Sequence, residues 1–257
     1  MRRIIAVLIG FMLGLAALQP AAHAAEPGAP TAHSVETAPA TGALFYPSVL
    51  GAVPRLGGPH FCSAGIVHSP SRDLLVTAAH CVFGGGATIE FAPLLHDSEL
   101  PGGVWSVTDI YIDPAWKKSF DPRHDVAFLR VAPQGGKKIE DVVPGAPLGT
   151  PRAQEPVTVS GYPMGSRGRP LTCTAPLENV DDYSGIHCGG FGSGTSGGTW
   201  LQNGQLVGVI GGLEQGGCAP DVEYSTPFGS DVRALFARAV DGGKGDLVPI
   251  GFTANAC

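Results

Sequence analysis

Residues 192–198 read Gly-Ser-Gly-Thr-Ser-Gly-Gly. A serine ringed by glycines can expose its hydroxyl and turn backbone N–H groups outward. Nucleophilic attack on an acyl carbon needs both, an accessible oxygen and donors for the developing oxyanion. Taken alone, the same stretch equally describes a flexible Gly/Ser loop. Gly194–Gly198 also fits G-x-S-x-G, the nucleophile elbow of α/β folds, in which the histidine follows the serine. Here the histidines stand at 23, 33, 60, 68, 80, 96, 124 and 187, all before Ser196. The elbow reading therefore has no base, and the α/β fold is set aside.

A base must come from upstream. His80 closes the run Val76-Thr77-Ala78-Ala79-His80-Cys81, where a β-prone stretch meets a cysteine. A disulfide at Cys81 would hold the neighbouring imidazole in place, as a general base requires. Asp125 opens the apolar run Val126–Val131. A carboxylate at the mouth of a strand can accept from an imidazole Nδ1–H and fix its tautomer. His124 is a rival base but lacks the cysteine-anchored setting.

The rest of the 257-residue chain fits this picture. Hydrophobic residues make up 44% and charged residues 15%, with mean hydropathy +0.16, too apolar for a disordered chain. Gly is 38 of 257, which disfavours long helices and favours short strands joined by tight turns. The net charge of −6 lacks the electrostatic footprint of a nucleic-acid binder. Residues 1–24 carry Arg2-Arg3, a nearly unbroken apolar run from Ile4 to Leu18, and Ala22-His23-Ala24. That is a signal peptide cut before Ala25, too short in its apolar run to span a bilayer. Residues 25–41, rich in Ala, Pro and Thr, read as a pro-segment or disordered linker.

Short β-like runs recur between Gly/Pro punctuation: 65–67, 74–76, 87–91, 105–112, 126–131, 157–160 and 206–210. One segment is helical by period, from a Ser230 N-cap to Gly242-Gly243. The Pro/Gly-rich stretch 132–151 divides the chain. An exported chain meets an oxidising compartment, so six cysteines imply three disulfides, with 15 possible pairings. Cys62 and Cys81 each lie beside a strand-like run. Cys173 and Cys188 flank a hairpin turning at Asp181–Gly185. Cys218 and Cys257 remain to pair, unless Cys188 takes Cys218. No two cysteines have C-x₂₋₄-C spacing, so no metal is expected, and no cofactor.

Together, Thr77-Ala78-Ala79-His80-Cys81, His124-Asp125-Val126-Ala127-Phe128-Leu129 and Gly194-Thr195-Ser196-Gly197-Gly198 resemble, in order, the His, Asp and Ser motifs of chymotrypsin-like serine proteases. His60–Val67 resembles the strand whose cysteine bridges to the one after the histidine. Val159–Pro163 and Gly208–Gly212 resemble an early second-lobe strand and the strand lining the cleft. The resemblance implies an all-β fold of two antiparallel six-stranded barrels with a C-terminal helix. It places the domain at 42–257, the barrels at about 42–140 and 150–257. It implies Ser196 as nucleophile, His80 as base, Asp125 as its orienter, and the N–H groups of Gly194 and Ser196 as oxyanion hole.

Thr195 stands where animal trypsin-like enzymes have Asp, so the chain looks more like the bacterial secreted branch, glutamyl-endopeptidase-like enzymes included. Counting back from Ser196 places Gly190 and Phe191 in the substrate cleft, with Gly211 and Gly212 as its wall. Neither 190 nor 191 is acidic, which leans toward an apolar or small residue at the cleaved position. His187 is a weaker candidate, for an acidic side chain. The expectation is a secreted, monomeric endopeptidase acting on peptide or protein, without nucleic acid or membrane partners. The alternatives are a catalytically inactive relative that binds through the same cleft, and an esterase on the same triad.

Overall fold

The computed structural model describes residues 28–46, 60–82, 89–165 and 168–252. The signal peptide expected at 1–24 lies outside them, as does Cys257. The first half closes into a barrel. After a short β1 (His33–Ser34) come β2 (Thr41–Phe45), β3 (Cys62–Val67), β4 (Leu74–Thr77), β5 (Glu90–Pro93), β6 (Trp105–Ile112) and β7 (Ala127–Val131). The last six pair antiparallel in the closed order β2-β3-β4-β7-β6-β5. Continuous apolar runs such as Leu74-Leu75-Val76 and Phe128-Leu129 are wholly buried, because a small closed barrel is filled by its own side chains.

The second half carries β8 (Pro156–Gly161), β9 (Leu171–Pro176), β10 (Glu178–Val180), β11 (Tyr183–His187), β12 (Thr199–Gln202), β13 (Gln205–Val209) and β14 (Val222–Ser225). They form a five-stranded sheet β1-β9-β8-β12-β13 and a three-stranded sheet β10-β11-β14. An isolated bridge between Ile210 and Ser225 connects the two. The second lobe is thus an antiparallel β unit of two bridged sheets. The β10–β11 hairpin turns at Asp181-Asp182, since Val180 already pairs with Tyr183.

Three local expectations change. Residues 28–41, expected as a pro-segment or disordered linker, carry a strand: β1 pairs with Leu171 and Thr172 of β9, and Ala32 N–H donates to Gly189 O at 2.7 Å. The exposed edge of β9 supplies the partners that composition cannot show. A short helix α1 (Pro114–Ser119) stands where no helix is expected; Asp113 caps it, accepting from Ala115 N–H. Six residues are too few for an apolar period to register, although Asp-Pro is a helix-start signal. The C-terminal helix α2 (Ser230–Asp241) ends at Gly242 in the left-handed region, but its N-cap is Gly229, and Ser230 is already helical.

Two expected disulfides are formed, Cys62–Cys81 and Cys173–Cys188. The second excludes the Cys188–Cys218 alternative. Cys218 is itself disulfide-bonded, and its expected partner Cys257 lies outside the described residues.

Candidate active site

The two lobes meet along residues that hold the serine loop. Ser63 in β3 donates its backbone N–H to Ser196 O at 2.7 Å. Its hydroxyl donates to Gly194 O at 2.9 Å and accepts from Tyr162 N–H at 2.8 Å. The Thr41 and Thr199 hydroxyls pair across the lobes at 2.6 Å. Gly197 has φ +78°, and a Cβ there would stand 2.1 Å from Thr77 Oγ1 and 2.2 Å from Ser63 O. Only glycine lets the two lobes approach this closely beside the serine.

His80 sits in a single 3-10 turn, Ala79–Cys81, leaving β4. The Cys62–Cys81 bridge ties that turn to β3. Asp125 follows another such turn, Pro122–His124, ahead of β7. The residues are 45 apart in sequence, yet His80 Nδ1 lies 2.7 Å from Asp125 Oδ2. Asp125 Oδ1 accepts from His80 N–H at 2.8 Å, and Oδ2 also accepts from Gly212 N–H at 2.9 Å. Asp125 is fully buried and His80 is 8% exposed. Because a carboxylate only accepts, Nδ1 carries a proton, so in the neutral ring it is Nε2 that has the lone pair.

Ser196 is half-buried and shares a cavity of about 300 Å³ with His80, Gly194, Phe61 and Phe252. Its hydroxyl makes no hydrogen bond to the imidazole in this conformation, as is common before substrate is bound. The loop's amides divide sharply. Thr195, Gly197 and Gly198 N–H donate to Gly192 O, Ile210 O and Thr195 O. Those of Gly194 and Ser196 donate to no described residue. Thr195 is buried and uncharged, its hydroxyl donating to Gly192 O at 2.6 Å. It serves as a staple across the loop.

The other expected positions fall in different places. Phe191 lines a cavity of about 510 Å³ that adjoins Ser196. Gly190 packs instead against Thr31 and Ala32. Gly211 lies beside Asp125, where a Cβ would stand 3.1 Å from Oδ2, and Gly212 holds that carboxylate from behind. His187 faces Glu178 on the neighbouring strand, 3.7 Å away, and is not part of that cavity's lining. His124 faces Asp113 at 3.2 Å.

Two residues escape the sequence reading. Glu223 lines the larger cavity. It stands opposite Ile186 in the β11–β14 pairing, so its side chain points inward. Burial pushes its carboxyl well above the usual carboxylate range, and no described residue hydrogen-bonds to it. An acid between Val222 and Ser225 in a strand-like run was the available signal. Phe252, near the end of the described chain, lies on the imidazole with ring centroids 6.2 Å apart and planes at 24°.

Residues 62–209, more than half of the chain, match the family model of the trypsin-like peptidase domain. The chain belongs to the trypsin-like peptidase family. A sequence comparison with curated proteins finds no match. Among solved structures, the protease Anisep from Arthrobacter nicotinovorans is 22% identical with TM-score 0.70, covering 82% of this chain and 100% of its own. A thermostable serine protease, AL20, from an extremophilic microorganism is 26% identical with TM-score 0.66, covering 80% and 98%. A scabies mite inactivated protease paralogue is 18% identical with TM-score 0.57, covering 83% and 100%. This trypsin-like fold therefore carries both active and inactivated proteins, and activity has to be argued from the site.

Proposed function

We propose that this protein is a secreted serine endopeptidase working through an acyl-enzyme on Ser196. The observation that carries the reading is the buried Asp125–His80 pair at 2.7 Å, facing a cavity that it shares with Ser196. Ser196 Oγ attacks the scissile carbonyl carbon and its proton passes to His80 Nε2. The oxyanion accepts from Gly194 and Ser196 N–H. As the C–N bond breaks, the amine takes the proton from Nε2. Water, deprotonated by the same nitrogen, then releases the acid and restores Ser196. The disulfides and the N-terminal segment support an oxidising, exported location. No helix among the described residues is long and apolar enough to cross a membrane.

The rival reading, an inactive relative that binds through its cleft, shares the fold but has no need of this geometry. A fluorophosphonate probe separates the two. Labelling of the native protein, absent in Ser196→Ala, supports the enzyme, and an unlabelled native protein supports the binder. Ester turnover without peptide cleavage would point to an esterase.

The cavity beside Ser196 takes the side chain of the residue whose carbonyl is attacked. It presents two carboxyls, Glu214 and Glu223, and no Lys or Arg lines it. That suits a cationic side chain, Lys or Arg, where residues 190 and 191 alone lean toward an apolar or small one. Glu223→Gln is expected to lower kcat/KM for Lys and Arg substrates about 10²-fold relative to Leu or Ala ones, roughly 2.7 kcal/mol. The same change should raise Tm, but only above about pH 4.3. Glu223's folded pKa is raised, so the protonated acid is tolerated at low pH and ionising it costs stability as pH rises. A competition profile over peptide substrates and a Tm series in pH check both. Unchanged selectivity would remove Glu223 from recognition.

A further inference from the structure

The chain beyond α2 returns to the cleft. Tyr111 OH donates to Gly243 O at 2.9 Å, and Asp246 N–H to Ile110 O at 2.7 Å. Asp246 then anchors the strap. Its carboxylate accepts from Ile112 N–H at 2.8 Å and from Lys117 Nζ and Arg238 Nη2, each at 2.6 Å. Burial alone would raise its pKa, but these donors outweigh burial and lower it. From there Leu247 and Ile250 face solvent, 89% and 82% exposed. Val248 and Phe252 pack inward against the barrel core.

Phe252 ends this path in an aromatic cluster. Its ring centroid lies 5.3 Å from Trp116 and 5.3 Å from Phe120, besides stacking on His80. Trp116 and Phe120 both belong to the α1 turn, with Phe120 held in the left-handed conformation as its C-cap. Phe252 lines the cavity holding His80 and Ser196. It also lines a second cavity of about 300 Å³ with Trp116, Phe120, Asp125, Gly212 and Gln215. Gln215 lines all three cavities, so the three spaces border one another. An extended peptide placing one side chain by Glu223 carries its neighbours past this second space, at about 3.3 Å per residue.

We propose that Phe252, delivered by the C-terminal strap, is a wall of the substrate cleft. With Trp116 and Phe120 it forms an aromatic subsite for an apolar side chain next to the residue held by Glu223. The subsite rests on the endopeptidase reading and adds to it a preference at a second position. The ring also lies over one face of His80, with centroids 6.2 Å apart.

The test uses the full chain and fluorogenic peptides that share one cleaved residue and vary at the positions flanking it. A small ester without flanking residues is run in parallel. For Phe252→Ala, KM for peptides with apolar neighbours is expected to rise about 10-fold or more. Peptides with Gly or Asp neighbours and the ester should lose much less, and Phe252→Leu should recover most of the loss. Equal losses on every substrate would mean general damage and overturn the subsite. Faster probe labelling with higher activity on all substrates would make the ring a plug, which also overturns it. Native protein that resists the probe altogether would overturn the endopeptidase reading instead, and that result is visible before any variant is made.

Discussion

Replacing Ser196 with Ala is expected to cut peptide turnover by about 10⁵–10⁶-fold, roughly 7–8 kcal/mol of transition-state stabilisation. The covalent step disappears because the hydroxyl of the residue that shares the cavity with His80 and Gly194 is removed. Some acceleration over water should persist, since the two amides and the cleft remain. The fold should barely respond. Ser196 is half-buried, and its hydroxyl bonds to no described residue, so Tm is expected within about 2 °C of the native value. Steady-state kinetics with a calorimetric scan check both halves. His80→Ala in the Ser196→Ala background should add little, because the two groups act as one unit. A loss below about 10²-fold would move the nucleophile elsewhere.

Asp125→Asn is expected to cost about 10⁴-fold in kcat, and here stability should fall as well. The carboxylate accepts three hydrogen bonds: His80 N–H on Oδ1, and His80 Nδ1–H and Gly212 N–H on Oδ2. An amide has one acceptor oxygen. With that oxygen toward His80 N–H, its NH₂ group confronts the ring and Gly212. The imidazole then shifts to the Nε2–H tautomer, which cannot accept the serine proton, and Gly212 N–H is orphaned. Turned the other way, the NH₂ group confronts His80 N–H. Either arrangement buries an unpaired donor, at about 1–3 kcal/mol. NMR of the ring nitrogens would report the tautomer directly. A variant with native kcat and native Nδ1–H would show that Asp125 does not orient the base.

The two effects separate what a motif can and cannot specify. The His80, Asp125 and Ser196 segments stood out as a set and in order, each weak alone: a strand end before a cysteine, a polar entry to an apolar strand, a run of glycines. The Cys62–Cys81 and Cys173–Cys188 pairings were legible for a related reason, since each closes a short stretch of chain, at sequence separations of 19 and 15. The cleft was not. Gly190 was placed by counting back from Ser196 and Gly211 by the resemblance of its segment to the strand lining the cleft, yet one packs against Thr31 and the other lies beside Asp125. Glu223 enters the cavity through the register of β14 on β11, and a one-residue slip would turn it to the opposite face.

The sequence by itself determined the all-β class, the order of the three motifs, and which side chains could perform acyl transfer. Those follow from local preferences and from three motifs whose order along the chain resembles that of one family. Only the tertiary structure decided what surrounds them: an edge strand made of residues read as linker, a buried acid beside the serine, and a phenylalanine from the far end of the chain laid on the imidazole. Such contacts come from packing between remote segments, where the burial available in the fold, and not the preference of any local stretch, sets the neighbours.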